Sequence, residues 1–280
     1  MNLKKPTHVL LGLILMASPA WAAVAVVFSS DNDSYRQALA GIKESVPAAE
    51  PVIVQGGKAD IQGAQVVITL GDAAAVLDFP TAKSRVAAMI SDTGTKPVGK
   101  PVMVGAFPDA LTLLSAVGDL VPQLDTLAIF SCGDRYDSYL KYLAAGAKIS
   151  NAKLLVFRMD KSAELVAALR SILGKAQALW VAPDPLFINQ DNFRLISQFC
   201  LASKIALIAP NPLLTKNGAL AGLAPSAKEI GRAAGQAAAQ LAAGKNPGMH
   251  VQPEKSLLVV SPDTARSLGL PVPSTLESLK

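Results

Sequence analysis

The sequence has few of the residues from which catalytic and metal sites are built. Its 280 residues include 2 Cys and 2 His, and 5% of the residues are aromatic. Two cysteines do not make a disulfide scaffold, and so few Cys and His ligands do not supply a zinc site. The sequence also contains no G-x-S-x-G motif, no P-loop and no G-x-G-x-x-G after its first predicted strand. We therefore expect a protein that is not an enzyme and that carries no cofactor and no metal.

Charged residues are also scarce. They make up 17% of the chain, against 51% hydrophobic residues, a composition that excludes intrinsic disorder. The formal net charge of +5 falls to +3 (24 basic and 21 acidic residues) when Lys4 and Lys5 of the N-terminal segment are removed. Because no basic run remains to follow a phosphate backbone, we expect no nucleic-acid binding.

Long hydrophobic runs are confined to the N-terminus. Two lysines precede an apolar run over 9–16, and Ala20-Trp21-Ala22 follows it as a typical cleavage site. An uncleaved membrane anchor is the alternative, but the run is short for a bilayer. No cysteine lies near the cleavage point to carry a lipid. The sequence therefore predicts a signal peptide over residues 1–22 and a soluble mature chain in the periplasm.

Short β-branched runs alternate with Ala- and Leu-rich stretches in the rest of the chain, which is typical of an α/β protein with parallel sheets. The predicted strands are Val24–Phe28, 52–54, 66–70, 102–104, 127–130, 154–157, 179–181 and 206–208. The predicted helices lie near 34–46, 72–78, 82–91, 109–121, 136–148, 162–175, 190–203 and 226–243. Ser226 and Ser261 are expected to begin two C-terminal helices, which Gly244 and Gly269 would end.

These eight strand–helix units fit two architectures. They could close into one (β/α)8 barrel or divide into two doubly wound lobes. Two features favour the lobes. Extended stretches at 218–224 and 256–261 follow the eighth strand, and the helix after Ser226 carries a face of small residues suited to packing on a sheet.

Several short motifs occur in an order and spacing that point to a known family. They are Val66-Val67-Ile68-Thr69-Leu70-Gly71, Ala182-Pro183-Asp184, Lys204-Ile205-Ala206-Leu207-Ile208 leading to Gly218-Ala219-Leu220, Glu229-Ile230-Gly231, Ala243-Gly244-Lys245-Asn246-Pro247 and Ala265-Arg266-Ser267-Leu268-Gly269-Leu270-Pro271. On these residues the chain resembles the periplasmic substrate-binding components of ABC transporters. Within them it is most similar to the family that includes members binding aromatic amino acids. The resemblance covers essentially the whole mature chain and implies a type I periplasmic binding fold, in which two hinged lobes close on a ligand.

The resemblance also implies domain boundaries. The predicted domains are lobe 1 (23–108 and 225–247), lobe 2 (120–222), and the hinge and C-terminal segments (109–119 and 250–280). The chain departs from the family at the first crossing between lobes. Gly105-Ala106-Phe107-Pro108 stands there, where many members have an Asn-x-Thr-Gly segment. This departure leaves the identity of the ligand open.

Residues just beyond the carboxyl ends of the strands are the candidates for ligand binding, because open α/β sheets bind ligands at that edge. The predicted ligand-binding residues are Ser29, Ser30, Asp31, Tyr35, Gly71, Asp72, Ser131, Tyr136, Asp184 and Asn211. Phe107 and Phe187 are expected to join the tyrosines as aromatic walls. His250 is expected in an exposed loop, and Cys132 and Cys200 as buried thiols rather than a disulfide.

The aspartates at these edges have two interpretations. Asp33, Asp72 and Asp134 fit the N-cap preference and could serve the first amides of the next helix. Asp184 precedes Pro185 and lies several residues before the next predicted helix, so capping explains it less well. The resemblance places an acidic residue there beside the ligand. Carboxylates in a cleft favour an ammonium over an anion, and aromatic walls add cation–π attraction, so we expect an amine-bearing ligand.

The favoured function is that of an exported, monomeric binding protein. It would capture a small molecule, an amino acid or an amine, and deliver it to the membrane permease of an ABC transporter. A sensor of the same fold, acting on a membrane signalling protein, is the first alternative. A (β/α)8 enzyme is the second.

Overall fold

The structure is a computed structural model that describes residues 24–90, 95–134 and 136–271. Within these residues the strands form two six-stranded sheets with helices packed on them. The predicted signal peptide lies outside the described residues. No helix in the described ranges is both long and apolar enough to cross a bilayer.

The secondary-structure elements are numbered in chain order. The strands are β1 (Val24–Phe28), β2 (Pro51–Ile53), β3 (Val66–Leu70), β4 (Ser84–Ala88), β5 (Val102–Val104), β6 (Thr126–Cys132), β7 (Lys153–Met159), β8 (Ala178–Val181), β9 (Ala206–Ala209), β10 (Ala221–Ala224), β11 (His250–Val251) and β12 (Leu257–Val260). The helices are α1 (Asp33–Lys43), α2 (Asp72–Ala75), α3 (Ala110–Leu120), α4 (Asp137–Ile149), α5 (Leu165–Ser171), α6 (Pro185–Ile188), α7 (Gln190–Ala202), α8 (Ala227–Ala242) and α9 (Pro262–Leu268), and Ser162–Glu164 and Pro212–Asn217 form 3₁₀ turns.

The two sheets have equivalent strand orders and differ in the direction of one edge strand. The strand order is β11-β5-β4-β3-β1-β2 in the first sheet and β12-β10-β9-β8-β6-β7 in the second, so each sheet winds outward from its first strand. All neighbouring strands are parallel except β12, which runs antiparallel to β10. Two separate sheets exclude the (β/α)8 barrel and confirm the two doubly wound lobes. The carboxyl ends of the parallel strands in each sheet therefore lie at one edge, where ligands bind in such folds.

The chain passes between the two sheets at 105–109, 225–226 and 252–256. The first and third passages touch each other, because the Gly105 amide donates to the Val251 carbonyl at 2.9 Å and the Gln252 side chain lies where a Cβ on Gly105 would be. Helix α3, placed in the predicted hinge, packs against α4 and buries its apolar face in the core around the second sheet. The domain boundaries themselves stay a prediction.

Helix α8 returns to the first lobe and packs closely on α1. A Cβ on Gly231 would overlap the Ala38 carbonyl, and one on Gly41 would overlap the Lys228 carbonyl oxygen, so the two helix backbones are in direct contact. The predicted small-residue face of α8 is confirmed, since its alanines are buried in the cluster around the first sheet. These alanines are Ala233, Ala234, Ala237 and Ala238.

The helix predicted near 82–91 is wrong, because Ser84–Ala88 is the strand β4. It pairs in parallel with β3 on one side and β5 on the other. The alanines at 87 and 88 gave this stretch a helical composition, but intrinsic propensity is a weak preference that tertiary packing overrides. Both alanines are buried, and α8 packs against this strand.

Most other predicted elements are present, and the C-terminal helix signals are confirmed. The Ser226 hydroxyl caps α8 and the Ser261 hydroxyl caps α9, while Gly269 ends α9 in the left-handed conformation. The loop expected at His250 is wrong, because this exposed residue begins the two-residue strand β11 beside β5. Cys132 and Cys200 are buried thiols, as expected, and burial raises the pKa of Cys200 to about 12.

The same glycine-to-alanine substitution should have opposite effects inside and outside the contact between α1 and α8. Gly231→Ala should destabilise the fold by about 1–3 kcal/mol, since its methyl group has no room against Ala38. Gly118→Ala in α3 should stabilise by about 0.5–1 kcal/mol, because nothing lies within 4 Å of its Cβ position and alanine favours the helix. Urea unfolding of the variants measures both. Equal shifts in the unfolding midpoint would contradict the packing described.

Candidate functional site

Four of the predicted ligand-binding residues meet at the carboxyl edge of the first sheet. The Ser29 hydroxyl, directly after β1, accepts the amide of Ala74 in α2 at 2.8 Å. Gly71, directly after β3, has a φ of +87°, and a Cβ there would overlap the Tyr35 hydroxyl and approach Ser29 Oγ to 2.8 Å. Glycine is therefore required at position 71 both for its backbone conformation and for the close approach of Tyr35.

The Tyr35 hydroxyl joins this group as a neutral donor. Burial raises the pKa of Tyr35, the hydrogen bond with Ser29 lowers it, and the nearby Asp72 carboxylate raises it again, with a net upward shift. The ring packs on Phe28 with centroids 5.7 Å apart. Asp72 is the half-buried first residue of α2, and its negative charge lies close enough to raise the pKa of the Tyr35 hydroxyl. We call Ser29, Tyr35, Gly71 and Asp72 the first edge group.

Ser30 and Asp31 follow β1 but have local partners. Asp31 receives two hydrogen bonds from the Arg36 guanidinium, at 2.8 and 2.6 Å, and Arg36 lowers the pKa of this exposed carboxyl. The Ser30 hydroxyl accepts from the Asn32 amide at 3.2 Å. Arg36 thus neutralises Asp31, and neither residue belongs to the first edge group.

The capping interpretation is wrong for three aspartates. The N-cap of α1 is Asn32, whose side chain accepts from the amide of Tyr35 at 2.9 Å, so Asp33 is already inside the helix. The N-caps of α2 and α4 are Gly71 and Tyr136, and neither makes a side-chain capping bond. The predicted starts at 34, 72 and 136 lie within one residue of the observed ones, but a shift of one residue is enough to change which side chain occupies the N-cap.

Asp184, by contrast, is an N-cap. Its Oδ1 accepts the amide of Leu186 at 2.9 Å, because a four-residue helix, α6, begins at Pro185 where the sequence predicted none. The side chain is 2% exposed, and its Oδ2 accepts the Tyr136 hydroxyl at 3.4 Å. The structure thus joins two predicted site residues at the carboxyl edge of the second sheet.

Ser131 belongs to the same edge, but as part of the strand. The sequence placed Ser131 and Cys132 after the strand, whereas β6 extends to Cys132 and buries both residues. The Ser131 hydroxyl has no hydrogen-bond partner in the described part of the chain. We call Ser131, Tyr136 and Asp184 the second edge group. Asn211 is apart from it as an exposed N-cap, accepting the Leu213 amide at 2.9 Å.

An aromatic cluster packs beside the second edge group. The centroid of the Phe107 ring lies 5.5 Å from that of Tyr136 and 4.8 Å from that of Tyr139. The ring centroids of Tyr139 and Trp180 are 5.6 Å apart. The Tyr139 hydroxyl donates to the Pro108 carbonyl at 2.9 Å and so holds the first crossing against α4. Phe187 is not part of this wall, since it is fully buried against Phe130.

Sequence reasoning did not select Tyr139 or Trp180 as site residues. The spacing of the three tyrosines at 136, 139 and 142 was the available signal, because residues three apart lie on one face of a helix. Tyr142 also contacts the crossing, donating to Asp109 Oδ1 at 2.7 Å. Although partial burial opposes ionisation, the hydrogen bonds from Tyr142 and Thr112 lower the pKa of Asp109.

Both edge groups carry side chains that can take part in reversible binding. They supply hydroxyls, carboxylates and aromatic faces, which are groups that can hold a small molecule through hydrogen bonds and charge. Across 24–90, 95–134 and 136–271, no group of three His, Cys, Asp or Glu side chains is placed to hold a metal ion.

Comparison with known proteins gives one family match. Residues 73–278 match the family described as ABC transporter substrate binding protein. No curated protein sequence matches the chain.

Solved structures with a similar fold come from several bacteria. A ligand-free, open substrate-binding protein with adhesive properties from Clostridium difficile has 16% identity, covers 90% of this chain and 96% of its own, and gives a TM-score of 0.61. A conserved domain protein from Vibrio cholerae has 16% identity with the same coverages and a TM-score of 0.55. An ABC domain from Streptococcus pneumonia in complex with L-Trp has 15% identity, again with these coverages, and a TM-score of 0.55. These likenesses show the two-lobed fold.

The position of Asp184 predicts how two substitutions differ. Asp184→Ala removes the acceptor for the Leu186 amide and should cost about 1–2 kcal/mol of stability. Asp184→Asn keeps that acceptor and should stay within about 0.5 kcal/mol of the parent, because Asn and Asp cap equally well. Thermal unfolding at neutral pH measures both. An Asn variant as unstable as the Ala variant would show that the charge or the Tyr136 hydrogen bond, and not the cap, stabilises this turn.

Proposed function

The chain belongs to the family of ABC transporter substrate-binding proteins, and from this we propose that it captures a small amine-bearing ligand and delivers it to the membrane permease of an ABC transporter. The ligand would be an amino acid or an amine held between the two lobes. The protein would work as a monomer in the periplasm, after removal of residues 1–22. The lobes would comprise 23–108 with 225–247, and 120–222, with 109–119 and 250–280 as the hinge and C-terminal segments.

One observation carries this proposal. Two groups of polar and aromatic side chains occupy the carboxyl edges of the two sheets, in a family whose members bind solutes. The first edge group brings together residues from β1, α1 and the β3–α2 turn. Residues this far apart in the chain converge at the edge where doubly wound sheets bind ligands.

The charges at these edges favour an amine. Arg36 neutralises Asp31, so the carboxylates that characterise the two groups are Asp72 and Asp184. Asp72 lies in the first turn of α2, where a carboxylate offsets the positive end of the peptide dipoles that would attract an anion. An ammonium beside Asp72 and the Tyr35 ring would gain both charge pairing and cation–π attraction.

A thermal-shift screen tests the binding function. The purified protein, freed of bound ligand by unfolding and refolding, would be screened against amino acids, amines, sugars, nucleosides and anions. The panel includes L-tryptophan, the ligand of the Streptococcus structure. A ligand at about 100 times its Kd stabilises by about 2.7 kcal/mol, which raises the Tm by several degrees. A shift with amines or amino acids supports the proposal, whereas a shift with a sugar or an anion alone would reject the amine assignment.

The charge argument predicts a difference between two aspartates of the first lobe. Asp72→Asn should weaken binding of the amine found in the screen at least tenfold, because it removes the carboxylate beside Tyr35. Asp33→Asn is the matched control, since it makes the same change one helix away on a side chain that is 91% exposed. Isothermal titration calorimetry measures both. Equal affinities in the two variants would remove Asp72 from the site.

Delivery to a permease has its own test. A strain lacking the protein should lose uptake of the ligand found in the screen, and the intact gene should restore it. Normal uptake in the deletion strain would favour the sensor over the transport component.

A further inference from the structure

Two polar side chains of the second lobe are fully buried and unpaired. Ser131 and Trp180 are each 0% exposed, and neither Ser131 Oγ nor Trp180 Nε1 has a hydrogen-bond partner among the residues that the structure describes. Leaving a buried polar group unpaired is costly, so native proteins almost always satisfy such groups with protein, water or ligand atoms. Two of them close together therefore call for a common explanation.

The two side chains share one face of the second sheet. Ile129 of β6 is paired with Trp180 of β8, and Ser131 follows Ile129 by two residues. Side chains two apart along a strand point to the same side, so Ser131 lies on the Trp180 face, at the carboxyl end of β6. Tyr139 packs on Trp180, which places α4 over this face.

The chemistry of the pair calls for an oxygen acceptor. An indole N–H only donates, and a serine hydroxyl donates readily. The neighbouring hydroxyls are engaged elsewhere, Tyr139 with the Pro108 carbonyl and Tyr136 with Asp184. No atom of the described residues accepts a hydrogen bond from either side chain, so the acceptor that would satisfy both is a ligand oxygen or a water.

The buried carboxylate of Asp184 indicates that this acceptor is uncharged. This buried carboxylate lies on the same edge, four residues beyond Trp180, and reaches the cluster through Tyr136. A second carboxylate in such a poorly solvated place would be repelled by it, because like charges interact strongly where water is excluded. An uncharged oxygen, such as that of an amide or a hydroxyl, meets no such repulsion.

We propose that Ser131 and Trp180 form a subsite of the ligand site that binds an uncharged oxygen of the ligand, whose ammonium lies at Asp72. The proposal rests on the proposed function and deepens it. It assigns the ligand class as an amine that also carries a neutral carbonyl or hydroxyl oxygen. Phe107, which packs on Tyr136 and Tyr139, is the one ring of the aromatic cluster that is not fully buried.

Two matched sets of probes test the subsite. They are L-phenylalaninamide, phenethylamine and L-phenylalanine, and L-leucinamide, isopentylamine and L-leucine. Calorimetric titration at mildly acidic pH keeps every amine protonated. In the unaltered protein the amide should bind about tenfold more tightly than the amine of the same set, because it adds the hydrogen-bonded oxygen.

The variants separate the subsite from a structural role. Trp180→Phe and Ser131→Ala should each reduce the affinity ratio of amide to amine from about tenfold to near one. Ser197→Ala is the control in the same lobe, since its buried hydroxyl already donates to the Arg194 carbonyl at 3.1 Å, and it should keep the full difference. Ser131→Ala alone decides the question if Trp180→Phe fails to fold.

Four other results would contradict the proposed subsite. Equal affinities for amide and amine in the unaltered protein would remove it and leave the amine-binding function standing. Tighter binding of the amino acid than of its amide would exclude an uncharged acceptor. Variants that are less stable but keep the amide preference would show that the two donors hold an internal water. The absence of binding by all six compounds would reject the amine-binding function together with the subsite.

Discussion

The direct contact between the backbones of α1 and α8 is the interaction on which the architecture depends. Gly41 of α1 and Gly231 of α8 have no Cβ atoms to separate the helices. A backbone carbonyl group of the opposite helix occupies the place of each missing Cβ. Because α8 begins more than a hundred residues after β5, with all but one strand of the second sheet in between, this contact returns the chain from the second lobe to the first. The short strand β11 then adds to the first sheet, and the chain must pass once more to reach β12. Three passages between the lobes are therefore a consequence of where α8 packs.

Much of this fold could be predicted from the sequence because its signals are local. Buried parallel strands such as Val66–Leu70 are continuous apolar runs, and the caps at Ser226 and Ser261 act within one helical turn. Strand β4 could not be predicted, because its Ala-rich sequence is held extended by two neighbouring strands and by α8. The residues of β4 alone do not indicate which strands and helix will pack against it.

The sequence allowed part of the grouping of the candidate residues to be predicted, but not their partners. The rule that ligands bind beyond strand ends selected Ser29, Tyr35, Gly71 and Asp72, which the fold then brings together. The same rule selected Asp31, and it had no means of showing that Arg36, five residues on, neutralises it. It also missed Trp180, because a side chain inside a strand becomes relevant only when its unpaired N–H is seen in three dimensions.

The two edges differ in kind, and that difference bears on the ligand. The first edge group is partly open to solvent, and its hydroxyls and carboxylate are held by a short helix and a glycine turn. The second is closed by aromatic rings, and its carboxylate is committed to a helix cap and a tyrosine. A ligand with one charged end and one neutral polar end matches this asymmetry, because charge is best kept where water can reach it. A doubly charged ligand would have to bury one of its charges beside Asp184. Under the proposed function we therefore expect a ligand of mixed polarity rather than one that is charged throughout.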